Sequence, residues 1–294
     1  MWIDEFVQYI RYEKNFSTHT VVAYRNDLEQ FFEFIKINHD AETPDGIEPD
    51  MIRSWMIDLL ENKHTSRTVN RKLSCLKSYW HFLLRRGLAT KTPVKRVLSP
   101  KTKKALPVFL KEDEMSEILN QEGTRDNPFE NARDRLIIEM FYQTGMRLAE
   151  LIGLNDENVD TGTGLLRVTG KRNKQRLIPF GNLLKDGIKE YLQLRNENVN
   201  SEIECFFVRI NGKRLYPQMV YKIVQQKLKK VATLSKNSPH VLRHTFATTM
   251  LNKGAELNAV KELLGHSSLS ATEVYTHTTF EELKKVYKQA HPRA

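Results

Sequence analysis

LLRVTGKRNKQRLIPF occupies residues 165–180, and its reading decides the fold class. Apolar and polar positions alternate on both sides of Gly-Lys-Arg-Asn-Lys, the pattern of two short strands joined by a turn, so a β-hairpin is predicted here. ECFFVRINGKRL (204–215) offers another short strand and turn. Outward from these stretches the periodicity is helical. Residues 131–144 carry Leu136, Ile137, Met140 and Phe141 at helical spacing, with Gly145 as a terminator. From about Pro217 onward the chain again reads as helix. The expected fold is mainly α with a small β-sheet, an α+β arrangement.

The first hundred residues contain no strand pattern. Tyr24, Leu28, Phe31 and Ile35 mark one amphipathic helix, and Ile52, Trp55, Met56 and Leu59 mark another. Val69, Leu73, Leu76, Trp80 and Leu83 mark a third, whose opposite face carries Arg67, Arg71, Ser74, Ser78, His81 and Arg85. Residues 1–99 therefore read as a helical bundle. Ser99-Pro100-Lys-Thr-Lys-Lys-Ala-Leu-Pro107 breaks the periodicity, so 100–110 is expected to be a basic linker and 111–294 a second domain. Glu112, Asp113 and Glu114 then suit the first turn of a helix.

Charge narrows the function. The 294 residues carry a formal net charge of +10, a field that attracts polyanions. From Asn62 to Lys111 there is no Asp or Glu, while fourteen Lys and Arg fall in that stretch. Solvated helix faces normally mix signs, so an acid-free stretch points to a phosphate-facing surface. Arg67, Arg71, Lys77, Arg85, Lys101, Lys103 and Lys104 are its candidate contacts, with Arg172 on the hairpin. No apolar run approaches the roughly 18 residues of a membrane span, and the acidic start Met-Trp-Ile-Asp-Glu is unlike a secretory signal. A cytoplasmic protein without membrane partners is expected. Cys75 and Cys205, far apart and without metal-type spacing, read as small core residues.

SPHVLRHTFATTML (238–251) places His240, Arg243 and His244 on one helical turn. The spacing matches the two histidines of a zinc-protease helix, but the position of the glutamate base holds Val241, and Arg243 would repel a cation. No metal is expected. QTGMRLAELIGL (143–154) sets Arg147 just after a glycine, the hairpin carries Lys171, and LLGHSSLSATEVYTH (263–277) supplies His266 after Gly265 and then Tyr275.

In this order and at these separations, the four segments resemble the tyrosine recombinase family, most closely its Xer-type site-specific recombinases. The family pattern is an Arg in T-G-x-R-x-x-E-L, a hairpin Lys, H-x-x-R, G-H and a Tyr some nine residues later. The sequence departs from it in two places. Arg172 stands where a Gly commonly follows the hairpin Lys, so the turn requires Asn173 to take the left-handed position, and Ala149 replaces a frequent Ser.

The resemblance implies a helical core-binding domain followed by a catalytic domain. It implies a catalytic set of Arg147, Lys171, His240, Arg243, His266 and Tyr275, with Glu150 in support. His244 is expected to be buried and structural. The implied reaction is cleavage and rejoining of double-stranded DNA at specific sites through a 3′-phosphotyrosyl intermediate and a Holliday junction. No cofactor is implied, and four protomers act together, either identical or paired with a paralogous recombinase, and with a DNA translocase as a further candidate partner. Chromosome dimer resolution and mobile-element movement are the candidate roles. The alternatives are a type IB topoisomerase and a DNA-binding protein without catalysis. Phe280, Leu283, Tyr287 and Ala290 form an apolar stripe on a terminal helix, about 280–290. In the family such a helix docks on a neighbouring protomer, so truncation after Thr279 is expected to leave a folded chain that still binds a single site but loses cooperative assembly and strand exchange between two sites.

Overall fold

A computed structural model describes residues 1–39, 41, 43–102, 108–123, 125–170, 173–199, 204–229, 237–265 and 277–293, with 277–281 as backbone only. The chain divides into two compact units, Met1–Ala105 and Leu106–Ala294, and the division falls inside the stretch read as a linker.

The first unit is helical. α1 (Ile3–Gln8) continues as a π-helical turn over Tyr9–Glu13, and α2 (Thr18–Asn38), α3 (Pro49–Glu61) and α4 (Ser66–Arg85) follow. Side-chain oxygens start two of them. Ser17 accepts from the Thr20 N–H at 3.3 Å, and Thr65 accepts from the Thr68 N–H at 3.2 Å. The apolar stripe of α4 is buried as its spacing predicts, with Phe6, Phe31, Tyr79 and Trp80 at the centre of the core. Arg67, Ser74, Lys77, His81 and Arg85 are exposed on its other side.

The acid-free stretch is not free of acidic partners. Asp27, buried on α2, binds both Arg71 and Lys72, and the Lys72 ammonium lies 5.6 Å from the Trp55 ring centroid. Arg86 pairs with Glu13, and Lys91 pairs with Glu48 at 2.6 Å. Helix folding brings acids from elsewhere in the unit against four of the basic residues. This corrects the wholly basic reading for those positions and spares Arg67, Lys77, Arg85 and Lys101, which have no ion pair among the described residues.

The second unit is built around α6 (Pro128–Thr144), which follows α5 (Glu112–Asn120) and is buried on nearly every side. α7 (Leu148–Ile152) leads into a three-stranded antiparallel sheet of β1 (Val159–Asp160), β2 (Leu165–Thr169) and β3 (Gln175–Pro179). The predicted hairpin is β2–β3, in register from Leu165 opposite Pro179 to Thr169 opposite Gln175. Leu166, Val168 and Ile178 point into the core. Asn173 holds a φ of +57°, the left-handed conformation the turn requires, and the Gly170 N–H reaches the Lys174 carbonyl at 2.8 Å. α8 (Asn182–Asn198), α9 (Pro217–Lys229), α10 (Pro239–Asn252), α11 (Leu257–Leu264) and α12 (His277–Ala290) complete the unit.

One expectation needs correction. Residues 204–215 form only isolated bridges, Asn155 with Cys205 and Val208 with Arg214, because the Phe206 and Phe207 rings are buried against Tyr191 instead of alternating across a strand. The terminal stripe is already covered within its own unit. Leu283, Tyr287 and Ala290 are 6%, 1% and 2% exposed and pack with Phe246, Met250, Leu263 and Leu264 of α10 and α11. Phe280 lies outside the described side chains. Cys75 is buried and Cys205 half-buried, and both are free thiols.

Candidate active site

The site starts where α6 ends. Gly145 has a φ of +59°, and a Cβ there would lie 2.5 Å from a Phe246 ring carbon and 2.8 Å from Leu264 Cδ2. Glycine is required both for the left-handed turn and for the close approach of α10 and α11. Two residues on, Arg147 opens α7. Its backbone N–H donates to Glu150 Oε2 and its Nη1 to Glu150 Oε1, both at 2.7 Å.

Glu150 is a hub. It is 4% exposed, and Arg176 donates to both of its oxygens, Nη1 to Oε1 at 2.8 Å and Nη2 to Oε2 at 2.9 Å. Burial by itself would raise the Glu150 carboxyl. The hydrogen bonds and charge of Arg176, with those of Arg147, outweigh it and hold the group down at about 2.

Arg147 and Arg176, joined by Arg243 of α10, meet the end of α11. Arg176 Nε donates to the Leu263 carbonyl at 2.8 Å, Arg243 Nη2 to Leu264 at 2.7 Å, and Arg147 Nη2 to Gly265 at 2.8 Å. Three successive carbonyls at the negative end of a helix each receive a different guanidinium. The other fork of Arg243 donates to the Gly145 carbonyl. Burial, then the neighbouring Arg147 charge, lowers the Arg243 guanidinium to about 10, so it stays cationic at neutral pH. Among the described residues, the Arg147 and Arg176 guanidinium groups share the single carboxylate of Glu150, and Arg243 lies beside Arg147. Such a site suits an anion carrying several acceptor oxygens.

Of the predicted residues, Arg147 and Arg243 are brought together, with Glu150 behind Arg147. His240 is exposed on the first turn of α10, one turn before Arg243. Lys171, Arg172, His266 and Tyr275 lie outside the described residues, as do Lys103 and Lys104. His244 contradicts its expected burial: it is exposed, because the inner face of α10 is taken by Val241, Leu242, Thr245 and Phe246. Val241, where a zinc protease would hold its base, is 4% exposed in the core. Arg176 was missed. Its signal is phase: two residues before Ile178, it falls on the inward face of β3, where an arginine demands a buried acceptor.

Two family models match the chain, the phage integrase family over residues 108–282 and the phage integrase N-terminal SAM-like domain over residues 3–87. The chain belongs to the phage integrase family, as a site-specific tyrosine recombinase of the Xer type. Tyrosine recombinase XerC of Chlorobaculum tepidum is 37% identical across 100% of this chain and 95% of its own length. Tyrosine recombinase XerD of Staphylococcus aureus is 36% identical, with 99% of each covered. In fold, the chain is similar to XerH recombinase bound to a palindromic difH substrate in a post-cleavage complex. The TM-score is 0.73 at 21% identity, over 97% of this chain and 93% of that one. A lambda integrase dimer bound to a COC′ core site gives 0.68 at 19% identity, over 93% and 98%. The topoisomerase and non-catalytic readings are not favoured by these relatives.

Proposed function

We propose that Tyr275 attacks a DNA phosphodiester, forming a 3′-phosphotyrosyl bond and releasing a 5′-hydroxyl. The observation that carries this reading is the convergence of Arg147 and Arg243 on the carbonyls of Leu264 and Gly265, immediately before His266. Guanidinium forks there suit the nonbridging oxygens, on which charge grows in the transition state. Ionising a tyrosine of ordinary pKa at neutral pH costs about 4 kcal/mol, so a proton acceptor is needed, and His240 fills that role. Lys171 protonates the leaving 5′-oxygen, and His266 donates a hydrogen bond to the phosphate.

The covalent bond conserves the energy of the phosphodiester, so rejoining needs no nucleotide cofactor. Attack by the 5′-hydroxyl of a partner duplex exchanges strands and passes through a Holliday junction. A full exchange cuts four strands, and four protomers therefore act together in the cytoplasm on two sites. A homotetramer and a tetramer shared with a paralogous recombinase both fit this scheme. Chromosome dimer resolution, with a DNA translocase, and mobile-element movement both fit this chemistry.

The test uses a nicked duplex carrying the site that the protein selects from random-sequence DNA. Wild-type protein is expected to leave a protein–DNA adduct resolvable on a denaturing gel, and Tyr275→Phe to bind the same duplex with no adduct. An adduct that survives in Tyr275→Phe removes Tyr275 as nucleophile. A 5′-bridging phosphorothiolate, whose sulfur leaves without protonation, is expected to restore cleavage to Lys171→Ala.

A further inference from the structure

Arg176 is 6% exposed as a side chain and so stands behind the site without facing a substrate. Its guanidinium nevertheless joins the two structures that orient the site. It takes both oxygens of Glu150, which holds Arg147 through backbone and side chain, and its Nε takes the Leu263 carbonyl at the end of α11. It also packs under Gly265. A Cβ on that glycine, whose φ is +66°, would lie 3.0 Å from Arg176 Nη1 and 3.2 Å from its Cζ. β3, α7 and α11 thus meet on one planar group whose five N–H donors have a fixed geometry.

We propose that Arg176 is a positioning residue for DNA cleavage, setting the aim and the free charge of Arg147 and fixing the end of α11 that leads into His266. The proposal rests on the reading of Arg147 and Arg243 as the phosphate clamp. Two physical effects carry it. Glu150 has one negative charge, and Arg176 shares it, so Arg147 is not neutralised by its own ion pair and keeps charge for the phosphate. Without Arg176, Glu150 would be a buried carboxylate with Arg147 as its remaining cation, drawing that guanidinium off the phosphate. Second, the Leu263, Leu264 and Gly265 carbonyls are held by Arg176, Arg243 and Arg147 in turn. Release of the first lets the helix end shift under the other two.

Arg176→Lys separates charge from geometry, since an ammonium keeps the cation beside Glu150 but cannot span two carboxylate oxygens and a helix carbonyl together. On the nicked duplex described above, the Lys variant is expected to melt cooperatively and bind with wild-type affinity. Its single-turnover adduct formation should be about 100-fold slower, the scale of a displaced catalytic group. Arg176→Met should be slower still. The deciding substrate carries a methylphosphonate at the scissile position, which has no negative charge for Arg147 to offset. Most of the Lys variant's deficit should disappear there, whereas a loosened fold would slow both substrates alike. Equal deficits on the two substrates, a wild-type rate for Arg176→Lys, or a Lys variant that does not fold would each overturn the positioning role. Absence of an adduct from wild-type protein would instead overturn the phosphotyrosyl reading on which the proposal rests.

Discussion

Glu150 shows at the scale of one residue how the site is also a stability element. Its carboxyl titrates near 2 in the folded chain, below the ordinary range of about 4.3 for a free glutamate. A carboxylate depressed by folding stabilises the chain fully above its unfolded value, and loses that contribution as the pH falls toward the folded one. Glu150→Gln leaves the buried Arg176 without its charge partner. The expected loss at pH 7 is about 3–5 kcal/mol in denaturant unfolding. The gap between variant and wild type should narrow between pH 4.5 and 2, because only the wild type loses stability there. A constant gap across that window would mean that Glu150 is not held ionised by its arginines.

At the scale of an element, α12 couples the end of the chain to the site. Tyr287 stacks on His291 at 5.2 Å, and His291 lies 5.7 Å from the Phe246 ring and 3.2 Å from the Tyr142 carbonyl. Arg293 closes the arrangement on the buried Glu139 at 2.9 Å. Phe246 is also the ring that crowds Gly145, so α12 supports the turn that leads to Arg147. Tyr287→Ala is expected to cost about 3–5 kcal/mol, measured by chemical unfolding. Truncation after Thr279 would uncover Phe246, Leu263 and Leu264, so the truncated chain should lose thermal stability in addition to any loss of assembly. Burial, with Arg293 and Lys253 nearby, lowers the His291 imidazole to about 4. An imidazole kept neutral by folding contributes fully above its unfolded value near 6.5, and the contribution fades as the pH falls to 4. The melting temperature of wild type should therefore fall relative to His291→Phe across that interval.

For the whole molecule, the net charge of +10 sets a salt-dependent attraction to DNA, and the folded first unit decides which charges are available for it. Arg85 and Lys77 are exposed on α4, while Arg86 is paired with Glu13. Loss of one phosphate contact flattens log K against log[salt] by about 0.9. Arg85→Ala and Lys77→Ala should each show that change in binding titrations, and Arg86→Ala should leave the slope near that of wild type. Equal slopes for all three would place the DNA surface elsewhere on the unit.

The sequence by itself determined the helical bundle, the β2–β3 hairpin and the glycine break at Gly145, because periodicity and backbone freedom are local properties. It also carried the pairing of Arg147 with Arg243, through a resemblance spread over four short segments. What only the tertiary structure decided is who meets whom across long stretches of chain. Arg147 reaches a carbonyl 118 residues away and Arg176 one 87 residues away, and no local pattern encodes either contact. His244 and the α12 stripe show the same division in the opposite sense. Spacing fixes which residues share a face of a helix, but the surrounding elements decide which face is covered. In α10 the covered face excludes His244, and in α12 it is filled from the same unit, since Phe246, Leu263 and Leu264 lie close enough to bury it.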